Sequence, residues 1–157
     1  MRLLVDSEGY DGLTPTSSGM LTATVEGFKI SPLPYIVNLW DGMLPPTVKD
    51  DYVGKDLGYT PLFNAVWSET GQIQSITPNY EESMHVLEEI FPHNKSIFVM
   101  CGGSGYAWMT KQVLLALDYD SEKVYNIGGF WAYTGDHKVD LVSYYDKNEN
   151  GLYEGSY

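Results

Sequence analysis

Apolar residues along this chain fall into short blocks separated by turn formers, not into one sustained period. Arg2-Leu3-Leu4-Val5-Asp6 reads as a short strand, stopped by a loop containing Gly9, Gly12 and Pro15. Partial alternation of apolar and polar residues from Leu21 to Ile30 predicts a second strand. Pro32, Pro34, Pro45 and Pro46 then punctuate a long connection to about Thr60, in which Tyr35, Ile36, Leu39, Trp40 and Met43 form a short apolar helical face.

The second half is more regular. Asn79 is placed to cap a helix whose first turn carries Glu81 and Glu82, where the dipole favours negative charge. Tyr80, Met84, Leu87 and Phe91 follow at helical spacing and predict one buried stripe, with Pro92 ending the helix. Ser96-Ile97-Phe98-Val99-Met100 is an unbroken β-prone run, the pattern of a central strand covered on both faces. A glycine-rich loop follows, then the mostly apolar segment from Ala107 to Leu117, then a strand at Lys123-Val124-Tyr125-Asn126-Ile127. Helix, strand, loop, helix, strand implies parallel pairing and an α/β class. The expected architecture is one domain over residues 1–157 with a mainly parallel central sheet flanked by helices. It is enlarged by an insertion around 33–74 and a polar tail over 136–157.

At 157 residues the chain is long enough to close a core without staples. Nine basic residues against twenty-one acidic ones give a formal charge of −12, and Arg2 is the only arginine. Such a surface repels phosphates, which argues against nucleic acid as a partner. No apolar run reaches membrane-spanning length. Residues 1–10 lack the charge and apolar pattern of a secretory signal, so a cytoplasmic location is the default expectation; an exported form with its leader removed is the alternative.

Cys101 is the only cysteine, so no intramolecular disulfide or multi-cysteine zinc site is available. It stands at the carboxyl end of a strand and before a loop and helix, where open α/β sheets place their ligands. Gly102, Gly103, Ser104 and Gly105 allow the loop to curl so that backbone N–H groups converge, and the following helix adds free amides and a positive dipole end. A cradle of that kind favours a thiolate over a neutral thiol, and it equally suits a persulfide or a passing oxyanion. The bland alternative is a buried, inert cysteine beside a tight turn.

The stretch Ile97-Phe98-Val99-Met100-Cys101-Gly102-Gly103-Ser104-Gly105-Tyr106-Ala107 resembles the active-site strand, loop and helix start of the rhodanese-like sulfurtransferase family. Lys123-Val124-Tyr125-Asn126-Ile127-Gly128-Gly129-Phe130 resembles the family's later strand and double-glycine turn. The likeness is strong over 79–133 and weak before it. It implies a mainly parallel central sheet with helices on both faces. It makes Cys101 the sulfur-carrying nucleophile, and it makes Gly102, Gly103, Ser104, Gly105, Tyr106 and Ala107 the substrate-binding loop. Asp6 resembles the aspartate of a family strand-end pattern whose arginine position is Glu8 here, and Glu26-Gly27-Phe28 stands where many members carry glycine-histidine.

Related phosphatases and arsenate reductases need a longer loop closing on an arginine, and Ala107 stands at that arginine's place. The implied chemistry is therefore transfer of sulfane sulfur from a small-molecule or protein donor, through a Cys101 persulfide, to a thiol or cyanide acceptor. It requires no metal or organic cofactor. Thiosulfate, doubly charged, is expected to be a poor donor to so acidic a chain. The alternative is a catalytically degenerate rhodanese-like module for binding or redox sensing.

Weaker signals have ordinary readings. Asp146-Lys147-Asn148-Glu149-Asn150-Gly151 has the opening spacing of a calcium loop, but Tyr157 occupies the closing glutamate's place, which favours a polar hairpin around Asn150-Gly151. His85, His93 and His137 have no metal-pair spacing. Trp108 reads as core, and Trp131 and Tyr133 as the rim of the pocket.

Overall fold

The structure is a computed structural model, and it describes residues 23–29, 31, 33–43, 60–140, 145–147 and 153–155. Along the chain these form β1 (Ala23–Val25), α1 (Leu33–Ile36), a 3-10 turn at Asp41–Met43, β2 (Phe63–Trp67) and β3 (Ile73–Pro78). There follow α2 (Ser83–Ile90), β4 (Ile97–Cys101), α3 (Gly105–Ala116), β5 (Val124–Gly129) and a 3-10 turn at Phe130–Ala132. β6 (Lys138–Asp140), β7 (Tyr145–Lys147) and β8 (Tyr153–Gly155) complete the described elements. The fold is mixed α/β. The predicted strand at Arg2–Asp6 lies outside the described residues.

β4 and β5 pair in parallel through α3, as the order of elements predicts, whereas β1–β6, β2–β3 and β7–β8 are antiparallel two-stranded ladders. An isolated parallel bridge joins Val37 to Phe63. α1, the 3-10 turn at Asp41–Met43, β2 and the start of β3 fall inside the stretch read as an insertion. α1 buries Leu33 and Ile36, and the β2–β3 hairpin alternates inward Phe63 and Ala65 with outward Asn64 and Val66. Asn38 fastens this hairpin to the segment after α1: its Nδ2 donates to the Ala65 carbonyl at 2.8 Å, and its Oδ1 accepts the Ala65 N–H. In the polar tail, β7 and β8 pair on either side of the proposed Asn150-Gly151 turn, which itself lies outside the described residues.

The core gathers Phe63, Leu87, Ile97, Val99, Cys101, Met109, Val113, Leu114 and Val124 from β2, α2, β4, α3 and β5. β4 alternates, and this corrects the expectation of a strand covered on both faces. Ile97, Val99 and Cys101 point inward, while Phe98 is 54% exposed beside Tyr125 at 42% and Ile127 at 50%. Phe98 and Tyr125 are register partners, and their rings stack with centroids 5.1 Å apart. The outward half of the apolar run thus serves a cross-strand aromatic pair.

α2 begins at Ser83, later than the Asn79 cap predicts. Asn79 is drawn into tertiary contacts instead, its backbone N–H donating to the Leu62 carbonyl and its Nδ2 to that of Pro61. Buried Ser83 donates through Oγ to the Leu62 carbonyl at 2.7 Å and accepts the Tyr80 N–H at 3.1 Å, stitching the helix entry to β2. Tyr80 therefore sits before the helix and is exposed, while Met84, Leu87 and Phe91 supply the apolar stripe.

α3 closes with paired bonds from the Tyr119 N–H to the Leu114 carbonyl and from the Asp118 N–H to that of Leu115, which places Asp118 at the left-handed position with φ 63°. A β-carbon there is disfavoured. Asp118→Gly is accordingly expected to stabilise the protein by about 1 kcal/mol, read as a higher urea midpoint at unchanged slope.

Next to that cap, buried Tyr119 donates to the Phe91 carbonyl at 2.7 Å and stacks on His93 with centroids 3.6 Å apart. Its hydroxyl is pushed up from 10.0 to about 12, by burial first and by the Glu88 carboxylate second. The unfolded chain then loses this proton before the folded one does, so Tyr119 contributes stability below pH 10 that is lost as pH rises through about 12. Denaturation midpoints across that window should fall in the wild type and fall less steeply in Tyr119→Phe.

Candidate functional site

β4 ends on Cys101, and its register against β5 shifts just before it. Val99 faces Asn126, but Cys101 faces Gly129, so β5 carries one residue more than β4 over this span. Gly102 is buried against β5. An added β-carbon at Gly129 would lie 2.4 Å from the Gly102 carbonyl oxygen and 2.9 Å from the Gly103 Cα. The double glycine of the sequence reading therefore meets the cysteine loop backbone to backbone. Gly128 is glycine for another reason: its φ is +102° and nothing crowds it.

The loop turns at Ser104, which has φ 78° and ψ −15°, and α3 starts at Gly105, two residues ahead of the Ala107 start that the sequence predicts. The Ser104 carbonyl accepts the Trp108 N–H at 2.9 Å, the first bond of the helix. This leaves the amide of Ala107 among those that a helix start cannot satisfy internally. It donates to Cys101 Sγ at 3.4 Å. Cys101 is only 3% exposed, so the sulfur forms the floor of the loop. Gly103 is exposed above it, Ser104, Gly105 and Tyr106 are half-buried, and Ala107 is buried. All seven residues predicted for the site, Cys101 to Ala107, thus lie in one strand–loop–helix turn.

Asn126 is the residue that sequence reasoning passed over. It is the third residue of β5, and its side chain reaches the loop. Oδ1 accepts from Ser104 Oγ at 3.2 Å and from the Gly128 N–H at 3.0 Å, while Nδ2 lies 3.0 Å from Ser104 Oγ and 3.4 Å from the Ser104 carbonyl. The only advance sign was a polar residue inside an otherwise apolar strand.

Trp108 is half-buried and packs at a tilt of 54° on Trp40, centroids 6.0 Å apart, with Trp40 also lying over Gly71. Its predicted packing role fits these contacts. Tyr133 is half-buried beyond the 3-10 turn, and the Trp131 side chain lies outside the described residues. Each histidine contacts a surface glutamate: His85 with Glu89, His93 with Glu88, and His137 with Glu26. Among the described residues no cluster of three or more His, Cys, Asp or Glu forms a metal site, and no helix is long and apolar enough to cross a membrane. Asp146 and Lys147 belong to β7, and the remainder of the Asp146–Gly151 segment lies outside the described residues. Arg2, Asp6 and Glu8 lie outside them too.

Comparison with known proteins finds no matching family model, no matching curated protein and no matching solved structure.

Proposed function

We propose that this chain is a rhodanese-like sulfurtransferase that carries sulfane sulfur on Cys101. The observation that carries this reading is the Ala107 N–H aimed at Cys101 Sγ across a turn that closes on a helix start. An amide so placed stabilises negative charge on sulfur, as does the helix N-terminus it belongs to. In the first step the Cys101 thiolate attacks the outer sulfur of a persulfide or polysulfide donor. The donor's S–S bond breaks, its remaining thiolate leaves, and Cys101 becomes a persulfide. An acceptor thiolate then attacks the terminal sulfur and releases the Cys101 thiolate, with no net change of oxidation state. With no second cysteine in the chain, discharge is to an external acceptor. The loop carries no cationic side chain, so a singly charged organic persulfide is favoured over doubly charged thiosulfate. The mainly parallel sheet with helices on both faces belongs to the same proposal.

Intact mass after incubation with a small organic persulfide should show one added sulfur that disappears on reduction and is absent in Cys101→Ser. Thiosulfate should load it more slowly. Hydrolysis of para-nitrophenyl phosphate in place of sulfur loading would instead favour the phosphatase branch. A second reading, a non-catalytic rhodanese-like binding module, draws on the burial of Cys101 and the exposed Phe98, Tyr125 and Ile127 face. It is the outcome if no donor loads the thiol.

A further inference from the structure

We infer that Ser104 and Asn126 form a latch that holds the loop closed over Cys101 and so sets how readily a reagent reaches the sulfur. The inference deepens the sulfur-transfer reading and rests on it for its functional meaning. Three observations converge. The sulfur is almost wholly covered, so any donor requires the loop to move. Ser104 occupies the left-handed conformation that its glycine neighbours would adopt without cost, yet it is not glycine. A serine at a helix start ordinarily caps the helix through its hydroxyl, but Ser104 makes no such bond, and its Oγ turns to Asn126 across 22 residues of sequence. The hydroxyl therefore has its use in joining loop to strand. Asn126 is itself held by the Gly128 N–H, so the anchor is fixed before the loop engages it.

Opening the loop breaks this pair. Removing it should raise the open population by the weight of one or two part-buried hydrogen bonds, about 5- to 30-fold. Asn126 is thus a positioning residue, acting on Cys101 through Ser104 without touching the sulfur.

The test is the rate at which iodoacetamide, an uncharged probe, alkylates Cys101 in the folded 157-residue chain at fixed pH. Asn126→Ala and Ser104→Ala should each accelerate alkylation about 5- to 30-fold, and the double variant should react no faster than the faster single variant, because both remove one interaction. Val113→Ala, a core substitution in α3 away from the pair, supplies the comparison at reduced global stability. Independent, multiplying effects of the two substitutions would overturn the latch. So would alkylation rates that simply follow global stability along with Val113→Ala. Acceleration with coupling, but no sulfur loading by any donor in wild type, would leave the latch standing and remove the sulfur-transfer reading. Sulfur loading without acceleration would do the reverse.

Discussion

Gly129→Ala should lower folding stability by about 2–3 kcal/mol and prevent sulfur loading of Cys101. The backbone at Gly129, with φ −111° and ψ 139°, suits any residue, so the whole cost is steric. The new β-carbon would sit 2.4 Å from the Gly102 carbonyl oxygen and 3.0 Å from the Gly103 carbonyl carbon, inside the roughly 3.5 Å at which carbon atoms make favourable contact. These neighbours are backbone and have no rotamer to change. Relief therefore requires the loop to lift from β5, taking the Ala107 amide and the sulfur out of register. Gly128→Ala is the matched control. Its added carbon meets nothing within 4 Å and it suffers only the positive φ, a cost of about 1–2 kcal/mol that leaves the loop seated. Urea midpoints and persulfide loading, measured on both variants, check the contrast. Equal loading by the two would show that the loop does not depend on its contact with β5.

A second large effect is expected far from the sulfur. Phe63→Ala should cost about 3–5 kcal/mol, because Phe63 is fully buried at the start of β2, bridged to Val37 and paired with Pro78. Against a total stability of about 5–15 kcal/mol, that loss leaves the fold marginal. Val66→Ala in the same strand removes an apolar side chain that is 48% exposed and should change stability by about 0.5 kcal/mol or less. Chemical denaturation of the pair tests whether the β2–β3 hairpin belongs to the core that supports β4. A small effect at Phe63 would detach it.

The cysteine loop was legible because several local signals coincide there: a β-prone run ending at Cys101, glycines at 102, 103 and 105, and an apolar helix immediately after. Each reports on its own neighbourhood, and each agrees with the pairing of β4 and β5. The rest depended on distant partners. Asn126 looks like an ordinary polar position in a strand until Ser104 arrives opposite it. Asn79 has the chemistry of a helix cap, but the carbonyls of Pro61 and Leu62 compete for it, and the helix yields three residues. Phe98 belongs to a run too uniformly apolar to reveal which side faces solvent, since alternation leaves no mark when both faces carry apolar groups. The β2–β3 hairpin was hidden for the same reason, because outward Val66 and inward Ala65 differ little in character.

The misregister between Val99 and Cys101 makes length a determinant of the site's chemistry in its own right. In an even parallel ladder Cys101 would oppose Gly128, and the amide arm of Asn126 and the bare face of Gly129 would not both meet the same turn. The surplus residue in β5 works as a spacer, offsetting one strand against the other so that one position grips the turn and another makes room for it. Removing that spacer would preserve every residue type named in the site and still take it apart.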